Sequence, residues 1–199
     1  MRAILFDLDG TLLRLTREYH DLLAETFETV CGTVDDGWLE AYDEAFYDLF
    51  AACEPDPVRR AFDRVEGASD PDALAATLRE REAEACEPPA GAAADLERLA
   101  ASYDLGVLTN GVPEWQRYKL RAHDLERYVD VVVSSYEAGA HKPNVAPYRL
   151  AERRLPADAH AMVGDADADV RGAQKAGWAA HRYDGGGFGD LPDTIRWER

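Results

Sequence analysis

The sequence predicts an α/β fold: a parallel sheet with helices on both faces, plus a small all-helical domain inserted after the first strand. Three observations carry this. The chain opens on four consecutive apolar residues, Ala3 to Phe6, that stop at Asp7. Such a run, without alternation, reads as a strand buried on both faces, as inside a parallel sheet. After Gly91 short apolar runs alternate with helix-length segments, the pattern of parallel strands joined by crossover helices. Between these regions, from Thr16 to about Glu87, the pattern is helical and no run resembles a strand.

In chain order, Arg2 to Phe6 is the first strand. Leu15 to Val30 carries Tyr19, Leu22, Leu23, Phe27 and Val30 at helical spacing. Asp35-Asp36-Gly37 caps a second helix, Trp38 to Cys53, which ends before Glu54-Pro55-Asp56-Pro57. Trp38, Tyr42, Phe46 and Phe50 fall on one face of it, either as the core of a small bundle or as a stacking surface. A third piece runs from Val58 to Glu66. Ser69-Asp70-Pro71-Asp72 starts a fourth helix, which reaches Cys86 and stops at Pro88-Pro89. The alternating region then reads helix Ala92–Ser102, strand Leu105–Leu108, helix Pro113–His123 and strand Val129–Val133. It continues with helix Asn144–Leu155, strand Ala161–Val163, helix Asp167–Ala176 and a last strand, Trp178–Arg182, before the Gly-rich segment Asp184–Gly189.

Composition bounds the function. A chain of 199 residues accommodates one core plus an accessory domain. No apolar run approaches the ~20 residues of a membrane span, and the first strand begins too early to leave room for a leader, so a cytoplasmic protein without membrane partners is expected. Cys31, Cys53 and Cys86 share no metal-ligand spacing and read as reduced bystanders. The formal charge is −17, which argues against nucleic acid, whose phosphates need a basic footprint. Only three of the 22 basic residues are lysines, Lys119, Lys142 and Lys175. An acidic, lysine-poor surface on a globular chain is expected of a halophilic protein, where salt screens repulsion.

The chemistry gathers at strand ends. In open α/β sheets ligands bind beyond the carboxyl ends of the strands. Asp7 and Asp9 lie there, two apart and able to face one ligand, followed by Gly10 for a tight departure and Thr11 with a hydroxyl. Two carboxylates beside a phosphate suit Mg²⁺. Thr109-Asn110 and Asp165/Asp169 end two further strands, and His141-Lys142-Pro143 precedes a helix. Together they supply a carboxylate nucleophile, a second acid, phosphate donors, a cation and further metal ligands, the needs of phosphoryl transfer.

These residues stand in four runs: Asp7-Leu8-Asp9-Gly10-Thr11-Leu12, Leu108-Thr109-Asn110-Gly111, Lys142-Pro143, and Val163-Gly164-Asp165-Ala166-Asp167-Ala168-Asp169-Val170. In this order they resemble the haloacid dehalogenase-like (HAD) hydrolase superfamily. The resemblance implies a Rossmann-like catalytic core, residues 1–13 and 88–199, and a helical cap, residues 14–87, that closes over the site. It implies that Asp7 attacks phosphorus to form an aspartyl-phosphate, and that Asp9 protonates the leaving oxygen and then activates water. Thr109, Asn110 and Lys142 would bind the phosphate, and Lys142 would also neutralise the nucleophile. Asp7, Asp165 and the main-chain carbonyl of Asp9 would hold Mg²⁺, with Asp169 orienting Lys142 or a metal-bound water. The chain departs from the family pattern at Ala166, often Ser, and at Asn144-Val145 after Lys142-Pro143, commonly Asp-Pro.

Asp9 bears on the reaction class. The family's dehalogenases lack an acid there, since a leaving halide needs no proton, whereas an alkoxide does. Acid catalysis contributes roughly 10²–10⁴-fold. The expectation is a phosphomonoester hydrolase acting on a small phosphorylated metabolite of nucleotide or sugar phosphate type, as monomer or homodimer. A phosphomutase, a dehalogenase and a non-catalytic HAD-like binding protein are the alternatives. The Thr-Asn-Gly run, with Gln116 and Lys119-Leu120 after it, resembles the branch holding nucleotide and sugar-acid phosphatases. In the helical region Arg17, Arg59, Arg60 and Arg64 are candidate contacts for an anionic substrate tail.

Overall fold

A computed structural model describes residues 1–191 and 193–197. Their elements, in chain order, are β1 Arg2–Phe6, β2 Arg14–Leu15, α1 Tyr19–Cys31, α2 Asp36–Ala51, α3 Pro57–Asp63, α4 Pro71–Glu84 and β3 Cys86–Glu87. There follow α5 Ala92–Ala100, β4 Asp104–Thr109, α6 Pro113–Ala122, β5 Val131–Ser134, α7 Ser135–Ala138, α8 Val145–Arg154, β6 Ala159–Gly164, α9 Asp167–Ala176 and β7 Ala179–Arg182. The chain divides into two compact units, Met1–Arg14 with Glu87–Arg199, and Leu15–Cys86.

The first unit is built on a five-stranded sheet of order β5-β4-β1-β6-β7. Every pairing is parallel: Phe6 stands opposite Val107 of β4 and Val163 of β6. β1 is central, which is why Ala3 to Phe6 are apolar on both faces and fully buried. On one face Ala3 and Leu5 join Met162, Tyr148, Ala173 and Trp178 in a single apolar cluster. Residues two apart share a face, so Ile4 and Phe6 look the other way, and Phe6 meets Phe188 edge-on at 5.1 Å between ring centroids. The parallel α/β class read from the sequence is the class observed.

The boundaries differ where local pairing overrides pattern. β5 begins at Val131 rather than Val129, because Glu126–Tyr128 closes a 3₁₀ turn. Just before it, Asp130 is tied to Leu105 through both its main-chain N–H and its side chain. The short helix α7 was not visible in periodicity; it is set by a capping box between Ser134 and Glu137. The two-residue strands β2 and β3 pair with each other, 71 positions apart by residue number, a contact that no local propensity carries.

The second unit is helical from α1 to α4. Asp35 caps α2 by accepting from the Gly37 N–H, and Asp70 caps α4 by accepting from the Ala73 N–H. The aromatic stripe of α2 contributes to the core. Tyr42 is fully buried, with its ring 4.4 Å from Phe62, while Trp38 lies 5.3 Å from Phe27. The stacking-surface alternative therefore falls for Tyr42. Among the described residues no helix is long and apolar enough to cross a membrane.

Candidate active site

The polar rim forms because parallel strands end together. β1 runs out at Phe6, and the Asp7 N–H still donates to Val163 O at 2.8 Å, which fixes Asp7 at the sheet's carboxyl edge. Asp7 is buried, and its Oδ1 accepts from the Leu8 N–H at 2.8 Å and from Lys142 Nζ at 2.9 Å. Lys142 Nζ also lies 2.6 Å from Asp169 Oδ1 and donates to Leu108 O at 2.8 Å. The Lys142 ammonium is thus ringed by three oxygens, although Asp169 Oδ1 meets it as an ion pair without hydrogen-bond geometry. Asp169 is oriented in turn, its Oδ2 accepting from the Ala166 N–H at 3.0 Å.

Electrostatics set the protonation of this group. Burial pushes the Asp7 carboxyl up, with Asp169 adding to the rise and Lys142 opposing it, to about 7. Burial also works against the Lys142 ammonium, but the Asp7 and Asp169 carboxylates more than offset it, and its pKa stands above the usual lysine value.

Asp9 is held differently. Its Oδ1 accepts from Lys119 Nζ at 2.5 Å and its Oδ2 from Gln116 Nε2 at 2.6 Å. Half of its side-chain surface is open, while the rest is packed against Lys119 and Gln116. Burial there raises the carboxyl pKa, yet the Lys119 charge and hydrogen bond, the Gln116 amide and Lys142 reverse this and hold it below the ordinary range. Gln116 Nε2 is also 2.8 Å from Thr109 Oγ1, which accepts in addition from the Gly111 N–H at 3.2 Å. The Asn110 side chain, by contrast, is committed to Lys142: it accepts from the Lys142 N–H at 2.8 Å and donates to Lys142 O at 3.3 Å. The carboxamide of Asn110 therefore braces the Lys142 loop, using one of its two N–H donors in doing so.

Asp7, Asp165 and Asp169 each place a carboxylate oxygen within 4.8 Å of the others. Thr11 Oγ1 donates to Asp165 Oδ1 at 2.9 Å. Gly10, at φ +87°, lets the chain pass so close to Asp165 that a Cβ would overlap its carboxylate. Four carboxylates (Asp7, Asp9, Asp165, Asp169) face two ammonium groups (Lys119, Lys142), leaving uncompensated the charge that one divalent cation would balance. Hard oxygen donors and excess negative charge fit Mg²⁺. The Asp9 carboxylate, turned to Lys119 and Gln116, is not part of that cluster, so Asp9 could serve a cation only through its main-chain carbonyl. A cavity of about 710 Å³ opens beside Asp165, lined by Gly10, Thr11, Arg14, Tyr183 and Gly185 among others.

Gln116 and Lys119 carry no role that the sequence pattern alone assigns. A signal was present: the buried stripe of α6 is Gln116, Lys119 and Leu120, helical spacing with two polar residues where apolar ones belong.

Known proteins resemble the chain in sequence and in fold. The chain is 36% identical over 101 residues to the pyrimidine 5′-nucleotidase YjjG of Escherichia coli, covering 49% of this chain and 45% of that protein. It is 43% identical over 86 residues to the phosphoserine phosphatase of Thermus thermophilus, covering 41% and 34%. The matched stretch thus spans less than half the length of either relative. The 2-haloacid dehalogenase of Pseudomonas syringae superposes with a TM-score of 0.71 at 24% identity over 98% of this chain and 97% of that one, which shows a shared fold. A model of the haloacid dehalogenase-like hydrolases matches residues 1–177, and the chain belongs to that family.

Proposed function

We propose that the protein is a Mg²⁺-dependent phosphomonoester hydrolase that turns over small phosphorylated metabolites through an aspartyl-phosphate. The observation that carries this reading is the pair Asp7 and Asp9, one beside Lys142 and the other held by Lys119 and Gln116. A nucleophile and a separate, anchored acid are what an ester with a poor leaving group needs. The names of the two curated relatives, a nucleotidase and a phosphoserine phosphatase, support phosphate esters of small metabolites.

Asp7 Oδ1 is occupied by the Leu8 N–H and Lys142, so Oδ2 is the oxygen assigned to attack phosphorus. The new O–P bond forms as the bond to the leaving oxygen breaks; Asp9, ionised in the free site, takes up a proton as the anionic ester binds beside it and passes that proton to the leaving oxygen. Asp9 then takes a proton from water, whose oxygen attacks phosphorus and restores the Asp7 carboxylate. Thr109 Oγ1 and the main-chain amides after it hold the phosphoryl oxygens. Asp7, Asp165 and the Asp9 carbonyl would hold Mg²⁺, which when bound neutralises phosphate charge and favours ionised Asp7. The helical unit is assigned the choice of substrate.

The test is Asp9→Asn. An aryl phosphate needs little protonation on leaving and an alkyl phosphate much, so the first half-reaction should slow by roughly 10²–10⁴-fold on the alkyl ester and far less on the aryl one. Water activation is lost for both, so the aryl substrate should give a burst of phenol followed by stalled turnover. Unchanged steady-state rates on both esters would refute the role of Asp9.

A further inference from the structure

We infer that Lys119 and Gln116 of α6 are positioning residues for the acid/base carboxylate, fixing Asp9 and tying it to the phosphate-binding hydroxyl of Thr109. The inference rests on the phosphatase reading above. Residues three apart on a helix project from one side, so Gln116 and Lys119 reach the rim together. Both are 1% exposed. Burying an ammonium is costly unless a counter-charge meets it, and Asp9 Oδ1 at 2.5 Å meets this one.

The arrangement is asymmetric in an informative way. Lys119 has 2% of its side-chain surface open and Asp9 has 51%. A half-open carboxylate on a turn would ordinarily sample several rotamers. Here one oxygen is held by a buried ammonium and the other by a buried amide. Gln116 Nε2 is shared between Asp9 Oδ2 and Thr109 Oγ1 at 2.6 and 2.8 Å, so the residue that moves the proton and the hydroxyl assigned to the phosphate stand in register through a single atom. Gly111 makes room for this: a Cβ there would overlap the Gln116 carboxamide. The glycine after Thr109-Asn110 is thus explained by the side chain it admits.

A residue that only filled space would slow every substrate alike. One that acts through Asp9 must slow substrates in proportion to their need for Asp9, and must matter little once Asp9 is gone. The experiment measures kcat/KM on nitrophenyl phosphate and on a simple alkyl phosphate. The proteins are wild type, Lys119→Met, Gln116→Met, Asp9→Asn and the Asp9→Asn/Lys119→Met double variant. Lys119→Met should lose about 10–100-fold on the alkyl ester, bounded by the roughly 10²–10⁴ of acid catalysis itself, and only a few-fold on the aryl ester. The double variant should match Asp9→Asn within about 3-fold, the non-additivity of residues that act as a unit. If Lys119→Met does not fold, Gln116→Met carries the same comparison. Equal losses on both esters, or fully additive losses in the double variant, would overturn the inference while leaving the phosphatase reading intact. A wild-type protein that hydrolyses neither ester would overturn that reading and the inference with it.

Discussion

Both units carry ion pairs at their surface, but the α/β unit also buries charge. In the helical unit the ion pairs are open to solvent: Arg17 and Arg81 share Glu25, Arg60 pairs with Glu54, and Arg59 with Asp72. Pairs of this kind contribute about 0–1 kcal/mol each. The unit is held by apolar packing of Phe27, Tyr42 and Phe62. In the α/β unit two of the chain's three lysines are almost wholly buried, each against carboxylates at a strand end. Breaking a buried pair leaves a stranded charge, and buried charge clusters of this kind gather at functional sites. The same contrast sorts the arginines singled out from the sequence. Arg17, Arg59 and Arg60 are engaged by acids of their own unit, and among the described residues no acidic partner is recorded for Arg64.

The largest expected effect comes from testing that contrast directly. Lys142→Met strands Asp7 and Asp169, and should lower stability by about 3–5 kcal/mol and remove measurable turnover. Arg60→Ala in the helical unit should cost under about 1 kcal/mol. Urea melts and an aryl phosphate assay compare the two, and equal costs would erase the distinction.

A second test uses the strain at Asp7. Its carboxyl pKa is raised by burial from an unfolded value near 3.8 to about 7, so between those values the folded state binds more protons than the unfolded state. Stability from this group is therefore lost as pH rises from about 4 to about 7, and the full penalty stands above 7. Without divalent cations, Asp7→Asn should melt higher than wild type at pH 8, by roughly 2–4 °C per kcal/mol recovered, and the gap should close towards pH 4. Mg²⁺ should raise the wild-type midpoint and leave the variant's nearly unchanged. A gap that is independent of pH would contradict the assignment.

The smallest effect concerns the whole surface. With a formal charge of −17, raising KCl from about 0.1 M to about 1 M shortens the Debye length from about 10 Å to about 3 Å. We propose that the fold is adapted to salt, and the melting midpoint should rise over that range. A flat midpoint would count against it.

How much of this was legible follows from what each feature depends on. The strand β1 and its terminal Asp7 were readable because burial on both faces writes a continuous apolar run. The rim was readable because parallel strands end together, whatever the loops do. The β2–β3 pairing was not, since two residues at each end of a long insertion carry no period. The Asp9 clamp was half legible: Gln116 and Lys119 stood on the buried stripe of α6, but a helix shows only that a polar residue faces inward, not what it meets. That Asn110 braces Lys142 depends on a loop closing 32 positions away, beyond any local pattern.

The central claim is that Asp7 carries the phosphoryl group. It is tested most directly by rapidly quenching the enzyme during turnover of an aryl phosphate, in the Asp9→Asn variant where hydrolysis of the intermediate should stall, and locating the added mass by peptide mass spectrometry. The account predicts one phosphoryl group per chain on the peptide containing Asp7, with none in Asp7→Asn. A chain that releases phenol in multiple turnovers without phosphorylation at Asp7, or an Asp7→Asn variant with full activity, would contradict it.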